Sequence, residues 1–288
     1  MTRLRVRRAC LLSAPLALLL AACGQGSPKT QPPMPAEVPP AGPVTSGTAL
    51  GDRSLAPEAY AEAGLPPLDR PWTGADMDKA QQVLRDLAAK DDQQLPRIES
   101  PRSQAVFKRM VSDENLAPFR DANVALDQRL PGVSDFMLKF NGLLMLYYGP
   151  LSQQRGYQRE ILELLAYVLK VANQASSVVD EFLPSLDKND PTYLARMAGF
   201  NRMKAGMTQI LDGAVTTLTE TNVYSKPDLA RYARQIKESL PRLAPSIGPE
   251  VAQSLPGRIQ RIAEAEADPD YKAALEALRS ACEPAPAK

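Results

Sequence analysis

From Tyr157 to Leu183 the apolar residues return four and three positions apart: Ile161, Leu165, Val168, Ala172, Ala175, Val179 and Phe182. Only a helix brings such a set onto one face. At 1.5 Å per residue the segment predicts a helix about 40 Å long with a coiled-coil-like seam. Such a seam must be covered by other helices, and the rest of the chain offers them. Thr73 is a candidate N-cap with Asp76 three residues on, followed by Met77, Ala80, Leu84 and Leu87. Shorter helices are expected at 103–112 and 115–130, the second ended by Pro131-Gly132. Asp190-Pro191 opens a long helix to about residue 221, Ser225-Lys226-Pro227-Asp228 another, and Asp268-Pro269 the last. Pro241, Pro245, Pro249 and Pro256 are expected to cut the chain between those last two into short pieces.

Residues 135–148, capped by Ser134 and closed by Gly149-Pro150, are apolar nearly all round: Phe136, Met137, Leu138, Phe140, then Leu143 to Tyr148. At about 14 residues this segment is too short to span a bilayer and reads as the central core helix. No alternating β-branched run exceeds roughly five residues, so no sheet is expected. The expected fold is an all-α domain over 73–288, a bundle of about seven to nine helices, with a short α-solenoid as the alternative.

Upstream the character changes. Eleven of the 27 prolines fall between residues 24 and 71, and with the lipid attachment site the stretch 23–72 reads as a disordered, Pro-rich linker. A flexible coil of that length averages roughly 35–40 Å end to end. Before it stand a basic start (Arg3, Arg5, Arg7, Arg8), an apolar core from Ala9 to Leu20, and the run Leu20-Ala21-Ala22-Cys23. That run resembles the lipobox of bacterial lipoproteins. The resemblance covers residues 1–23 and implies a signal peptide cut before Cys23, whose thiol carries a diacylglycerol. Gly24, in place of Asp, implies by the same resemblance the outer membrane, facing the periplasm. With Cys10 removed and Cys23 lipidated, Cys282 stands alone, at helical spacing from Tyr271, Leu275 and Leu278 as a half-buried thiol.

Composition excludes more chemistry than it suggests. There is no histidine, which removes the usual general base and the commonest metal ligand. No metal site, cofactor or catalytic set is expected. Without the signal, 30 basic residues face 33 acidic ones, a balance that gives no footprint for nucleic acid. The carboxylates Glu160 and Glu163, and Asp180-Glu181, read as a solvated helix face. Glu99-Ser100 and Glu238-Ser239 carry the Glu-Ser dipeptide of lytic transglycosylases without that family's accompanying stretches. Tyr147-Tyr148 reads as a core rim with hydroxyls in water.

One feature rises above pattern. Gly199, Gly206 and Gly213 recur every seven residues within one helix, though each costs about 1 kcal/mol relative to alanine. They share a face, with Met203 and Met207 beside them. The strip reads either as a close helix contact, with Gly142 opposite, or as an open groove for an acyl chain or a partner's helix. The resulting expectation is a membrane-anchored envelope lipoprotein with a non-enzymatic, protein-binding helical domain acting as scaffold, assembly factor or inhibitor. The alternative is a lipid carrier using the Gly/Met groove.

Overall fold

The computed structural model describes residues 64–283 apart from 91–94, 100–103, 153–155 and 244–245. The signal, Cys23 and the proline-rich stretch to residue 63 lie outside the described residues. Among those described there are eight helices and no strand: α1 (Gly74–Lys90), α2 (Gln104–Met110), α3 (Leu126–Ser152), α4 (Gln158–Phe182), α5 (Tyr193–Thr217), α6 (Lys226–Leu243), α7 (Pro249–Ala265) and α8 (Pro269–Cys282). A single α-turn, Ala117–Arg120, separates α2 from α3.

The seam helix α4 is the centre. Ile161, Leu164, Leu169, Val171 and Ala172 are fully buried, and α3, α5 and α6 all pack on it. Beyond α6 the packing passes to α8, then α7, and α7 returns to α5. The order α4–α6–α8–α7–α5 therefore closes on itself, whereas a solenoid leaves its end helices apart. The fold is a helical bundle, with α1 outside the ring against α3.

Local chemistry explains most boundaries. Thr73 and Asp76 form a reciprocal cap: Thr73 N–H donates to Asp76 Oδ2 (2.7 Å) and Asp76 N–H to Thr73 Oγ1 (3.3 Å). At α6 the Asp228 amide donates to Ser225 Oγ (3.3 Å) and the Ser225 hydroxyl donates back to Asp228 Oδ2, and Asp268 accepts from the Tyr271 amide (2.9 Å) at α8. At α4 the backbone turns in through Gly156 (φ 97°) and Tyr157 (φ 71°). Glycine takes such a φ freely; the tyrosine is held there by packing and by the Arg97 guanidinium 4.1 Å above its ring.

Several sequence expectations are corrected. Pro131-Gly132 does not break the chain, because α3 runs through both. Pro131 lies in the second turn, so the carbonyl it leaves without a donor is that of exposed Asp127, where water substitutes. Val133 and Phe136, both at 0% exposure, hold the helix in phase. Gly149-Pro150 likewise does not end it. The helix expected at 115–130 is instead a 3₁₀ turn, the single α-turn and an Asx turn in which Asp121 Oδ1 accepts from the Asn123 amide at 2.9 Å. Pro241 sits inside α6 and Pro256 inside the continuous α7, and Pro249 begins α7. The helix apolar all round is not the central one: Leu138 and Met145 on α3 are 38% and 45% exposed.

The packed domain also starts earlier than residue 73. Leu65 and Trp72 are buried. The Trp72 amide donates to Asn115 Oδ1 at 2.9 Å and its indole to the Pro67 carbonyl at 2.7 Å, while Arg70 grips Asp76 with two bonds of 2.7 and 2.8 Å.

Candidate functional site

A groove of about 450 Å³ lies where the start of α3 and the first half of α5 flank the end of α4. Its floor is Phe182 from α4 and Phe200 from α5, ring centroids 5.7 Å apart and tilted. With Val179 they form a small apolar cluster separate from the main core. Leu130 and Pro131 wall it on the α3 side, Gly199 and Met203 on the α5 side. The lips carry opposite charges: Asp127 on one, Arg196 on the other, both exposed. Ser134 lines the same α3 wall as Asp127. At about 100° per residue, the exposed Leu138 and Met145 fall within about 40° of Ser134 around the helix, with half-buried Asn141 between them, so a mixed apolar and polar edge continues from the groove along α3.

Beside the groove, the Arg129 guanidinium stitches α3 to α4. It is 7% exposed and donates to Glu181 at 2.8 Å, and its Nε is buried without a partner. Glu181 thus has a structural use, and Asp180 is exposed.

The glycine strip divides along α5. A side chain at Gly199 would meet nothing within 4 Å, so the strip is open there, and Met203 lines the same wall. About two turns beyond Gly199, Gly206 and Met207 are buried, and about four turns beyond it Gly213 is half-buried with its carbonyl accepting from Thr217 Oγ1 at 3.0 Å. Gly142 is not opposite any of them. It faces α1, where an added Cβ would meet the Gln81 side chain.

The carboxylate pairs are not a solvated face throughout. Glu160 is buried and accepts from the Ile98 amide at 3.0 Å. Glu163 accepts from Arg231 and from Gln235, each at 2.8 Å. Both clamp the fold. Glu99 pairs with Arg159, Glu238 is exposed, and Ser239 is buried in α6; Ser100 lies outside the described residues. The Tyr147 hydroxyl is buried and donates to the Pro96 carbonyl at 2.9 Å rather than reaching water. Cys282 is half-buried, and burial, with Glu283 beside it, raises its thiol to about 11, which suits an inert thiol. Among the described residues no three metal-ligating side chains cluster, and no helix is long and apolar enough to cross a membrane.

The phenylalanines of the floor were visible in the sequence only as members of their helical stripes. Asp127 carries no signal, and Leu130 and Pro131 read as the end of a helix, because the wall they make exists only if α3 runs through the proline. No protein-family model, curated protein or solved structure matches the chain.

Proposed function

We propose that the protein is a bacterial envelope lipoprotein, anchored through Cys23 to the periplasmic face of the outer membrane. Its helical domain is a non-enzymatic binding module that takes an apolar segment of another envelope protein between α3 and α5. One observation carries this reading: the groove lies open over an aromatic floor, Phe182 and Phe200, that belongs to a small apolar cluster separate from the main core. An open trough with Asp127 and Arg196 on opposite lips suits a peptide segment, whose own charges set its register. A carrier enclosing a lipid wants a closed cavity. The amphiphile-carrier reading keeps one specific support, the open backbone at Gly199, against which a methylene chain can lie.

A photo-reactive amino acid placed at Ser134, or at Gly199, in cells tests both readings, with exposed Leu194 as control. Leu194 lies about 140° around α5 from Gly199 and is 78% exposed. One discrete protein adduct from the groove positions, absent at Leu194, is the expected result. A lipid adduct in its place supports the carrier. No groove-specific adduct of either kind overturns both.

A further inference from the structure

A second cleft, of about 430 Å³, opens between the last turns of α5 and α7, at the other end of α5 from the groove. The two helices run parallel here. Thr208 Oγ1 accepts from the Gly248 amide at 3.0 Å, and further along both helices the Arg258 guanidinium reaches Asp212 and Thr216 Oγ1, the latter at 3.2 Å. Past Arg258 the walls are apolar, with Val215 and Leu218 on the α5 side and Ile262 and Ala265 on the α7 side. Of the threonines on the rim, Thr219 already spends its hydroxyl on the Thr216 carbonyl at 2.7 Å.

The lining carries three charged side chains, Arg258, Arg261 and Glu266. Arg258 is paired with Asp212. The Glu266 side chain is 6% exposed, and its carboxylate accepts from Lys226 at 2.5 Å and from the Asp268 amide at 2.7 Å. Arg261, one turn beyond Arg258 on the same side of α7, is exposed and makes no hydrogen bond or ion pair among the described residues. Two of the three charges are therefore met within the fold, and one positive charge stands over an apolar cleft. Both helices end at the cleft, and a helix C-terminus carries partial negative charge. An anion is thus held off from that end and drawn to the arginines. About 10 Å of α7 separates Arg258 from Ala265, so a molecule filling the cleft is negative at one end and apolar along the rest.

We propose that this cleft binds a monocarboxylate on an alkyl stem of medium length, the carboxylate at Arg261 and the stem along Val215, Leu218, Ile262 and Ala265. The guanidinium fork matches the two oxygens of a carboxylate, and a single unmet cation matches a single negative charge. The apolar walls take the stem out of water, and the volume is that of a small-ligand site. The cleft shares no lining residue with the α3–α5 groove and is independent of the binding reading above.

The probe is sodium octanoate below its micelle concentration, titrated against the full chain with labelled isoleucine methyls. The chain carries Cys23→Ser, so that no acyl chain attached there competes. Ile262→Val assigns the Ile262 resonance. The expected result is a saturable shift of Ile262 with octanoate. Octanol, the stem without the charge, binds about tenfold more weakly, and Arg261→Gln weakens octanoate by about the same factor, the equivalent of one charge-assisted hydrogen bond. Acetate, the charge without the stem, gives no saturable shift. Arg261 is exposed, so the variant leaves the other isoleucine resonances in place and the fold intact. The proposal is overturned by the absence of a saturable shift at Ile262, by equal affinity for octanol and octanoate, or by an affinity unchanged in Arg261→Gln. Tighter binding of octyltrimethylammonium than of octanoate also overturns it, because the helix ends rather than Arg261 then set the polarity of the cleft.

Discussion

Single residues carry much of the structure at the domain's leading edge, and Asn115 carries most. It is fully buried, accepts from the Trp72 amide at 2.9 Å and donates to the Arg109 and Met110 carbonyls at 2.8 and 3.3 Å. Asn115→Ala strands the Trp72 amide and the Met110 carbonyl and takes one of two donors from the Arg109 carbonyl, which keeps the Ser112 amide at 3.3 Å, so a loss of about 3 kcal/mol is expected in denaturant midpoint experiments. Asn115→Asp keeps the acceptor for Trp72 but loses both donors, and is expected to be no better than partly restored. Asp76 gives a pH signature. Its hydrogen bond from Arg70 comes first and the Thr73 bonds second in holding the carboxyl down, at about 2. A depressed carboxyl stabilises the fold above its ordinary value, and that contribution is lost as pH falls from about 4 through 2. Asp76→Asn should flatten this limb of the stability–pH curve; a curve identical to wild type would show that the Arg70 grip contributes nothing.

At the scale of elements, helical period and caps were legible, and interior prolines were misread. Thr73/Asp76, Ser225/Asp228 and Asp268 announce their helices because capping is local chemistry. Pro131, Pro241 and Pro256 carry the local signature of a break, yet buried residues next to each, Val133 and Phe136 after Pro131, Leu240 and Leu243 around Pro241, Leu255 and Ile259 around Pro256, keep one continuous face that outweighs a missing hydrogen bond. Pro256→Ala restores that bond and removes the ring's clash, at some cost in unfolded-state entropy, so a net stabilisation of about 1–2 kcal/mol is expected by thermal unfolding. The glycine heptad was legible as a feature but not as a mixture: period alone cannot show that the strip is open at Gly199 and buried at Gly206, because that depends on where along α5 the helices α4 and α7 pack. Gly199→Ala has free space for its methyl and should stabilise α5 by about 0.5–1 kcal/mol. In the same variant set, Gly199→Trp should leave the fold intact and abolish groove cross-linking from Ser134.

For the whole molecule, the ring α4–α6–α8–α7–α5 predicts an order of stability. Amides in α4, shielded on all sides, should exchange slowest with deuterium, and those in the first half of α5, where Leu194 and its neighbours stand in solvent, markedly faster. The last helix seals the ring: Tyr271 donates to the Leu218 carbonyl at the end of α5 at 2.5 Å, so α8 holds α5 as well as α6 and α7. The attachment at the other end of the domain has a mechanical consequence. Trp72 is held at its backbone by Asn115, at its indole by Pro67, and by the core around it, while Arg70 is clipped to Asp76. Tension arriving along the chain from residue 64 is therefore absorbed at Trp72 and shared sideways with the segment carrying Asn115 before it reaches α1, as a cable clamp takes strain off the joint behind it.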